Sequence, residues 1–117
     1  MHELSIAAAM VELVRRHVPP GERVVRVHMR AGPLRGIDPD SMEMAWRATT
    51  SDTDLDGSVL ELELTLWQLR CPQCERQWAA HTVNDICVCG CHEPVFGRCD
   101  ELLLTAIDVE DAASDGQ

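Results

Sequence analysis

Residues 4–18, LSIAAAMVELVRRHV, place Leu4, Ala7, Ala8, Val11, Val14 and Val18 at helical spacing. Glu12, Arg15 and Arg16 lie largely off that stripe, so the segment reads as an amphipathic helix. Its three consecutive alanines favour helix because Ala loses no side-chain entropy. Pro19-Pro20-Gly21 stops it. In residues 23–30, Val25, Val27 and Met29 alternate with Arg26, His28 and Arg30, the pattern of a half-buried strand. Ala31-Gly32-Pro33 ends that strand. Asp38 or Asp40 is placed to cap a second helix, with Pro39 at the first helical position for the former choice. That helix runs to about Ala48, and Met42, Ala45, Trp46 and Thr49 form its mainly apolar face.

After the acidic turn TSDTDLDG the alternation is at its cleanest. From Val59 to Trp67, Leu60, Leu62, Leu64 and Leu66 face one way, while Glu61, Glu63 and Thr65 face the other. Residues 71–99 have little periodicity. From Glu101 strand alternation returns, with Leu103, Thr105, Ile107 and Val109 against Leu104, Ala106, Asp108 and Glu110. A polar tail, 111–117, is expected to be flexible. The strand–helix–strand unit predicts a parallel, right-handed crossover, and the returning strand adds a third member to the sheet. The chain is therefore expected to be an α+β protein. A small three-stranded mixed sheet carries two helices on one face and is interrupted by a cysteine-bearing insert. Residues 1–68 plus 101–110 form the first domain of this reading and 69–100 the second.

Charge narrows the function. Ten Lys and Arg stand against 20 Asp and Glu, a formal net charge of −10. Such a chain repels phosphate backbones, which excludes general nucleic-acid binding. Aromatics are only 3% of residues, too few for base-stacking platforms. No apolar run approaches the roughly 18 residues of a membrane span. The start of the chain lacks the basic n-region of a signal peptide, so a cytoplasmic location is expected.

All six cysteines fall between Cys71 and Cys99. In a reducing compartment, clustered cysteines read as metal ligands rather than disulfides. Cys71-Pro72-Gln73-Cys74 is a C-x-x-C knuckle, and twelve residues on stands Cys87-Val88-Cys89-Gly90-Cys91-His92. Two thiolate pairs on a segment with almost no core of its own suit a structural tetrahedral zinc site, whose binding supplies folding free energy. The first pair is Cys71 and Cys74. The second half offers more donors than four-coordination needs. Cys89-Gly90 has the small residue of a knuckle, Cys87 with Cys91 is the other geometry, and His81 or His92 is available in place of a thiolate. Iron in a rubredoxin-like site also uses four cysteines and is a competing reading. Cys99 reads as a lone thiol.

At the other end, Met1-His2-Glu3 brings together an α-amine, an imidazole and a carboxylate. With main-chain nitrogen, these are donors suited to Ni(II) or Cu(II). The solvated, frayed end of any chain is the competing reading.

The MHE start of a first helix, the αβαβ core, the C-x-x-C insert, the Gly32-Pro33-Leu34 turn, the DPDSMEMAW helix and the returning strand ELLLTAIDVE together resemble the HypA/HybF family. These are the nickel metallochaperones of hydrogenase maturation, and the resemblance spans residues 1 to about 110. It implies Ni(II) bound through His2, with Glu3 in support and the Met1 amine beside it. It implies zinc on Cys71, Cys74, Cys87 and Cys89, with Cys91 as the alternative ligand, since the family's usual second pair is C-P-x-C. It implies, as partners, the HypB-type nickel GTPase and the large-subunit precursor of [NiFe]-hydrogenase. In some organisms the urease maturation proteins join them. No catalytic triad, phosphate loop or paired-carboxylate motif appears, so a non-enzymatic role is expected. A zinc-ribbon adaptor and a thiol oxidoreductase using Cys71 and Cys74 are the competing functions.

Overall fold

The computed structural model describes residues 2–91 and 93–111. The chain forms two compact units.

The first unit comprises residues up to 30, 37–63 and the chain from 103 onward. Helix α1 spans His2–His17 and α2 spans Pro39–Thr50. Strands β1 (Glu22–Ala31), β2 (Val59–Leu64) and β6 (Leu102–Asp111) form a sheet in the order β2-β1-β6. Its sense is legible from the ion pairs. Arg26–Glu61 and Arg30–Glu63 advance together along β1 and β2, so those strands are parallel. Arg23–Glu110 and His28–Asp108 run in opposite senses, so β1 and β6 are antiparallel. The sheet is mixed, with the crossover through α2 that the strand–helix–strand order predicts. Those pairs occupy one solvated face. Val27 and Met29 are buried on the other, and α1 packs against α2.

Helix α1 buries Ile6, Ala7, Met10, Val11 and Val14, while Leu4 and Ala8 are exposed. The core stripe is therefore rotated from the expected one and takes in Ile6 and Met10. Arg15, Arg16 and His17 stand at the helix C-terminus, where cations suit the dipole. Helix α2 is capped by Asp38, whose carboxylate accepts from the Ser41 N–H at 3.0 Å and the Ser41 hydroxyl at 2.8 Å. Those two bonds hold the Asp38 carboxyl below its ordinary range. Trp46 on α2 is buried and donates through Nε1 to the Ser58 hydroxyl at 3.1 Å.

Two strand expectations are corrected. In β1, Val24 is buried and Val25 only half-buried, so strict alternation begins at Arg26. In β6, Leu102, Leu104 and Ile107 are half-buried while Leu103 and Val109 are exposed, so alternation slips near Thr105. Both β2 and β6 are edge strands of a three-stranded sheet, and an edge residue has one neighbour fewer to cover it.

The second unit comprises Ala31–Gly36 and Leu64–Leu102. The strand expected to continue to Trp67 ends at Leu64, and Trp67 begins a new strand, β3 (Trp67–Arg70). The insert also has more regular structure than its sequence suggests. Strands β4 (Gln77–Ala80) and β5 (Val95–Phe96) flank β3, and all pairings are antiparallel, with Arg70 opposite both Gln77 and Val95. Trp67 and Phe96 meet edge to face with centroids 5.5 Å apart. The turn at Gly32-Pro33-Leu34 is strapped to the end of the cysteine segment. Gly32 N–H donates to the Glu101 carbonyl and Leu34 N–H to the Cys99 carbonyl, both at 2.8 Å. A Cβ at Gly32 would lie within 2.6 Å of the Cys99 carbonyl carbon, so only glycine permits this approach.

Candidate metal centres

The hairpin β3–β4 sets the first pair of thiols. Cys71 N–H donates to the Arg76 carbonyl at 2.9 Å and Glu75 N–H returns to the Cys71 carbonyl at 2.9 Å, closing a tight loop around Cys74. Glu75 takes the left-handed conformation, φ 62°, that the loop demands. Inside it, Cys74 N–H points at the Cys71 sulfur at 3.5 Å. The second pair comes from the loop before β5. Gly90 N–H donates to the Cys87 carbonyl at 2.9 Å, and Gly90 itself has φ 95°.

These two loops face each other. The Sγ atoms of Cys71, Cys74, Cys87 and Cys89 all lie within 4.8 Å of one another. Cys71 and Cys89 sulfurs are 3.5 Å apart, as are those of Cys74 and Cys87. A tetrahedral zinc with bonds of about 2.3 Å holds its sulfurs about 3.8 Å apart, so the four thiols converge on the scale of that ion. Cys71 and Cys87 are buried, whereas Cys74 and Cys89 are exposed.

The electrostatics are those of crowded thiols. The Cys74 N–H holds Cys71 down to about 6, and the Cys89 N–H lowers Cys87. The Arg76 N–H favours the Cys74 thiolate, but the Cys87 sulfur and burial outweigh it and Cys74 is raised. Cys89 is likewise pushed up to about 12: the Cys91 N–H favours its thiolate, yet the neighbouring sulfurs and burial prevail. The cluster thus gives up its first proton at Cys71 and holds its last at Cys89, as interacting sites do. A cation at the centre removes that conflict by pairing with all four.

Trp78 on β4 packs against the buried Cys71, Cys87 and Cys91, and Arg76 lies over its ring at 4.8 Å. Its Nε1 donates to Asp85 at 2.9 Å, and Asp85 in turn accepts from the Ile86 N–H at 3.1 Å. Asp85 thereby orients the approach to Cys87. No spacing rule in the sequence singles it out. Cys91 lies outside the four-sulfur set, and so does Cys99, which is buried and accepts from the Gln68 N–H at 3.5 Å. His81 is exposed and outside that set, and His92 lies outside the described residues.

The second candidate centre is the start of α1. Met1 and the His2 side chain lie outside what the structure describes. Glu3 is half-buried, and its carboxylate accepts from the Asp38 N–H at 3.4 Å, tying the first turn of α1 to the cap of α2. A shallow cleft follows beside it, lined by Glu3, Leu4, Ser41, Met44, Ala45 and Ala48.

Residues 1–109 match the family described as hydrogenase/urease nickel incorporation, metallochaperone, hypA. The chain belongs to the HypA family. Among curated relatives, the hydrogenase maturation factor HypA of Geotalea uraniireducens is 34% identical over 94% of this chain and 100% of its own. That of Roseiflexus sp. is 32% identical over 95% of this chain and 94% of its own. The solution structure of the Ni metallochaperone HypA from Helicobacter pylori superposes with a TM-score of 0.59 at 18% identity, covering 92% of this chain and 97% of that one. A second solution structure of a HypA protein gives 0.65 at 16% identity, covering 95% and 98%. The fold is that of HypA, and nickel incorporation is the family's work. The cysteine cluster is a metal-binding constellation whose geometry and donor set fit zinc. Among the described residues no helix is long and apolar enough to cross a membrane.

Proposed function

We propose that this HypA-family chain takes up Ni(II) at its N-terminus and delivers it to the large-subunit precursor of [NiFe]-hydrogenase. A HypB-type nickel GTPase assists in the cytoplasm. Zinc on Cys71, Cys74, Cys87 and Cys89 folds the insert. The observation that carries the reading is the family match, which begins at residue 1 and so includes Met1-His2-Glu3. The donors there suit Ni(II), which accepts nitrogen ligation in a square plane. In a chain that begins at Met1, the α-amine and the His2 imidazole are the primary donors. Glu3 is a weaker oxygen donor, and its bond to Asp38 N–H supports a positioning role.

The chemistry of the donors sets the pH dependence. Imidazole binds metal when neutral, with a free pKa near about 6.5, and the α-amine titrates near about 7.7–8.0. Nickel affinity is therefore expected to fall steeply from about pH 7.5 to about pH 6, as both donors take up protons. The test is isothermal titration of untagged protein with Ni(II). His2→Ala abolishes binding while zinc content and fold persist, and Glu3→Gln weakens it less. Equal affinity in wild type and His2→Ala would overturn the metallochaperone reading and restore the zinc adaptor.

A further inference from the structure

Five cysteines, not four, crowd the zinc centre. Cys91 is buried in one cluster with Cys71 and Cys87, against Trp78. Its neighbours in sequence bring it there. Cys87 N–H donates to the Cys91 carbonyl at 3.3 Å, and Gly90 N–H to the Cys87 carbonyl at 2.9 Å. The chain folds back over these five residues, so Cys87 and Cys91 stand opposite each other with Cys89 at the tip. The two thiols that compete for the fourth position are therefore unlike. Cys89 is exposed, next to Val88 at 82% exposure, whereas Cys91 is only 9% exposed. Cys99 supplies the contrast: it is more deeply buried, yet it sits outside this cluster.

We propose that Cys91 is a reserve zinc ligand: when Cys89 is lost from the metal, Cys91 completes a four-sulfur site with Cys71, Cys74 and Cys87. The inference rests on the zinc reading above. Zn(II) has no geometric preference from its d electrons, so it accepts a substituted thiolate provided four donors converge. An idle thiol packs as a small apolar group, so Cys91 costs the insert nothing while Cys89 is bound. Its burial against Cys71 and Cys87 packs it against two residues that remain on the metal. The site thereby keeps its ion when this exposed ligand is chemically modified or removed.

Zinc content and sulfur coordination number, read by metal analysis and X-ray absorption, test this on the full chain. Wild type, Cys89→Ala, Cys89→Ser, Cys91→Ala and the double variant Cys89→Ala/Cys91→Ala are compared. Wild type and Cys91→Ala hold about one zinc with four sulfurs. Cys89→Ala and Cys89→Ser also hold four sulfurs, and zinc transfer to a chromogenic chelator is about 10-fold faster than in wild type. The double variant drops to three sulfurs or loses zinc, with transfer at least about 100-fold faster, the scale on which a lost support weakens a metal site. The proposal is overturned if both Cys89 single variants show three sulfurs or lose zinc as the double does. Four sulfurs in the double variant would also overturn it, by moving the reserve to Cys99. A zinc-free wild type would instead overturn the zinc reading itself, a result distinct from either.

Discussion

Two residue-level features make quantitative claims. Asp38 caps α2 with a carboxyl held below its ordinary value by Ser41. A depressed native pKa means the stabilisation is present above the unfolded pKa of about 3.9 and is lost as pH falls through the native value. Replacing Asp38 by Asn keeps a capping oxygen but removes the titration. The melting temperatures of wild type and Asp38→Asn are therefore expected to differ by a constant amount above about pH 5. Below about pH 4 wild type falls away more steeply. A constant difference down to pH 2 would refute the linkage. The second feature is the thiol cluster. With Cys74 raised and Cys89 pushed up to about 12, at least two of the four clustered thiols carry protons at neutral pH before metal arrives. Zinc requires all four as thiolates, so binding should release at least two protons. Calorimetry in two buffers of different ionisation enthalpy counts them, and a release of one or none would contradict the four-thiolate site.

At the scale of elements, the turn between β1 and α2 does more than connect them. Gly32 lies against the Cys99 carbonyl, and Leu34 N–H bonds that same carbonyl. The obstacle to a Cβ is backbone, which cannot swing aside as a side chain does. Gly32→Ala is expected to cost about 1–3 kcal/mol, the range for overpacking a tight contact. Gly36 offers a comparison: it has open space for a Cβ but sits at φ 60°. Gly36→Ala should cost about 1–2 kcal/mol through backbone conformation alone. Urea unfolding followed by tryptophan fluorescence measures both, and no loss in Gly32→Ala would mean the strap is dispensable.

For the whole molecule, each of the two units is stabilised internally by different means. The first buries Trp46, Met29, Met42, Leu55, Val14 and Val27, a core of large apolar side chains. In the second, among the described residues, Leu69 is the one large aliphatic side chain that is fully buried, and Ala31, Cys71, Cys87 and Cys99 are buried with it. A unit whose interior is mostly sulfur needs its metal to fold. Chelation, or Cys71→Ala, should therefore remove hydrogen-exchange protection across 64–102 while the two helices and β1 stay protected. Equal loss in both units would show that the insert is not separately stabilised.

The sequence by itself determined both helices, the presence of the three strands of the first sheet and the metal-binding character of the insert. Each follows from local information: a helix or strand period is written in neighbouring residues, and Cys-x-x-Cys brings its own turn. Tertiary structure decided what depends on contacts distant in sequence. It ended β2 at Leu64, because the chain there leaves one sheet to start another, and no change in alternation between Leu64 and Trp67 marks that point. It rotated the buried stripe of α1 toward Ile6 and Met10, because the packing partners, not the helix, choose the face. It set Cys89 with Cys71, Cys74 and Cys87, and Cys91 just behind them, a choice the run C-V-C-G-C leaves open. Asp85 beneath Trp78 had no signature at all, since a carboxylate seven residues from a tryptophan acquires meaning only when a fold brings them within 2.9 Å.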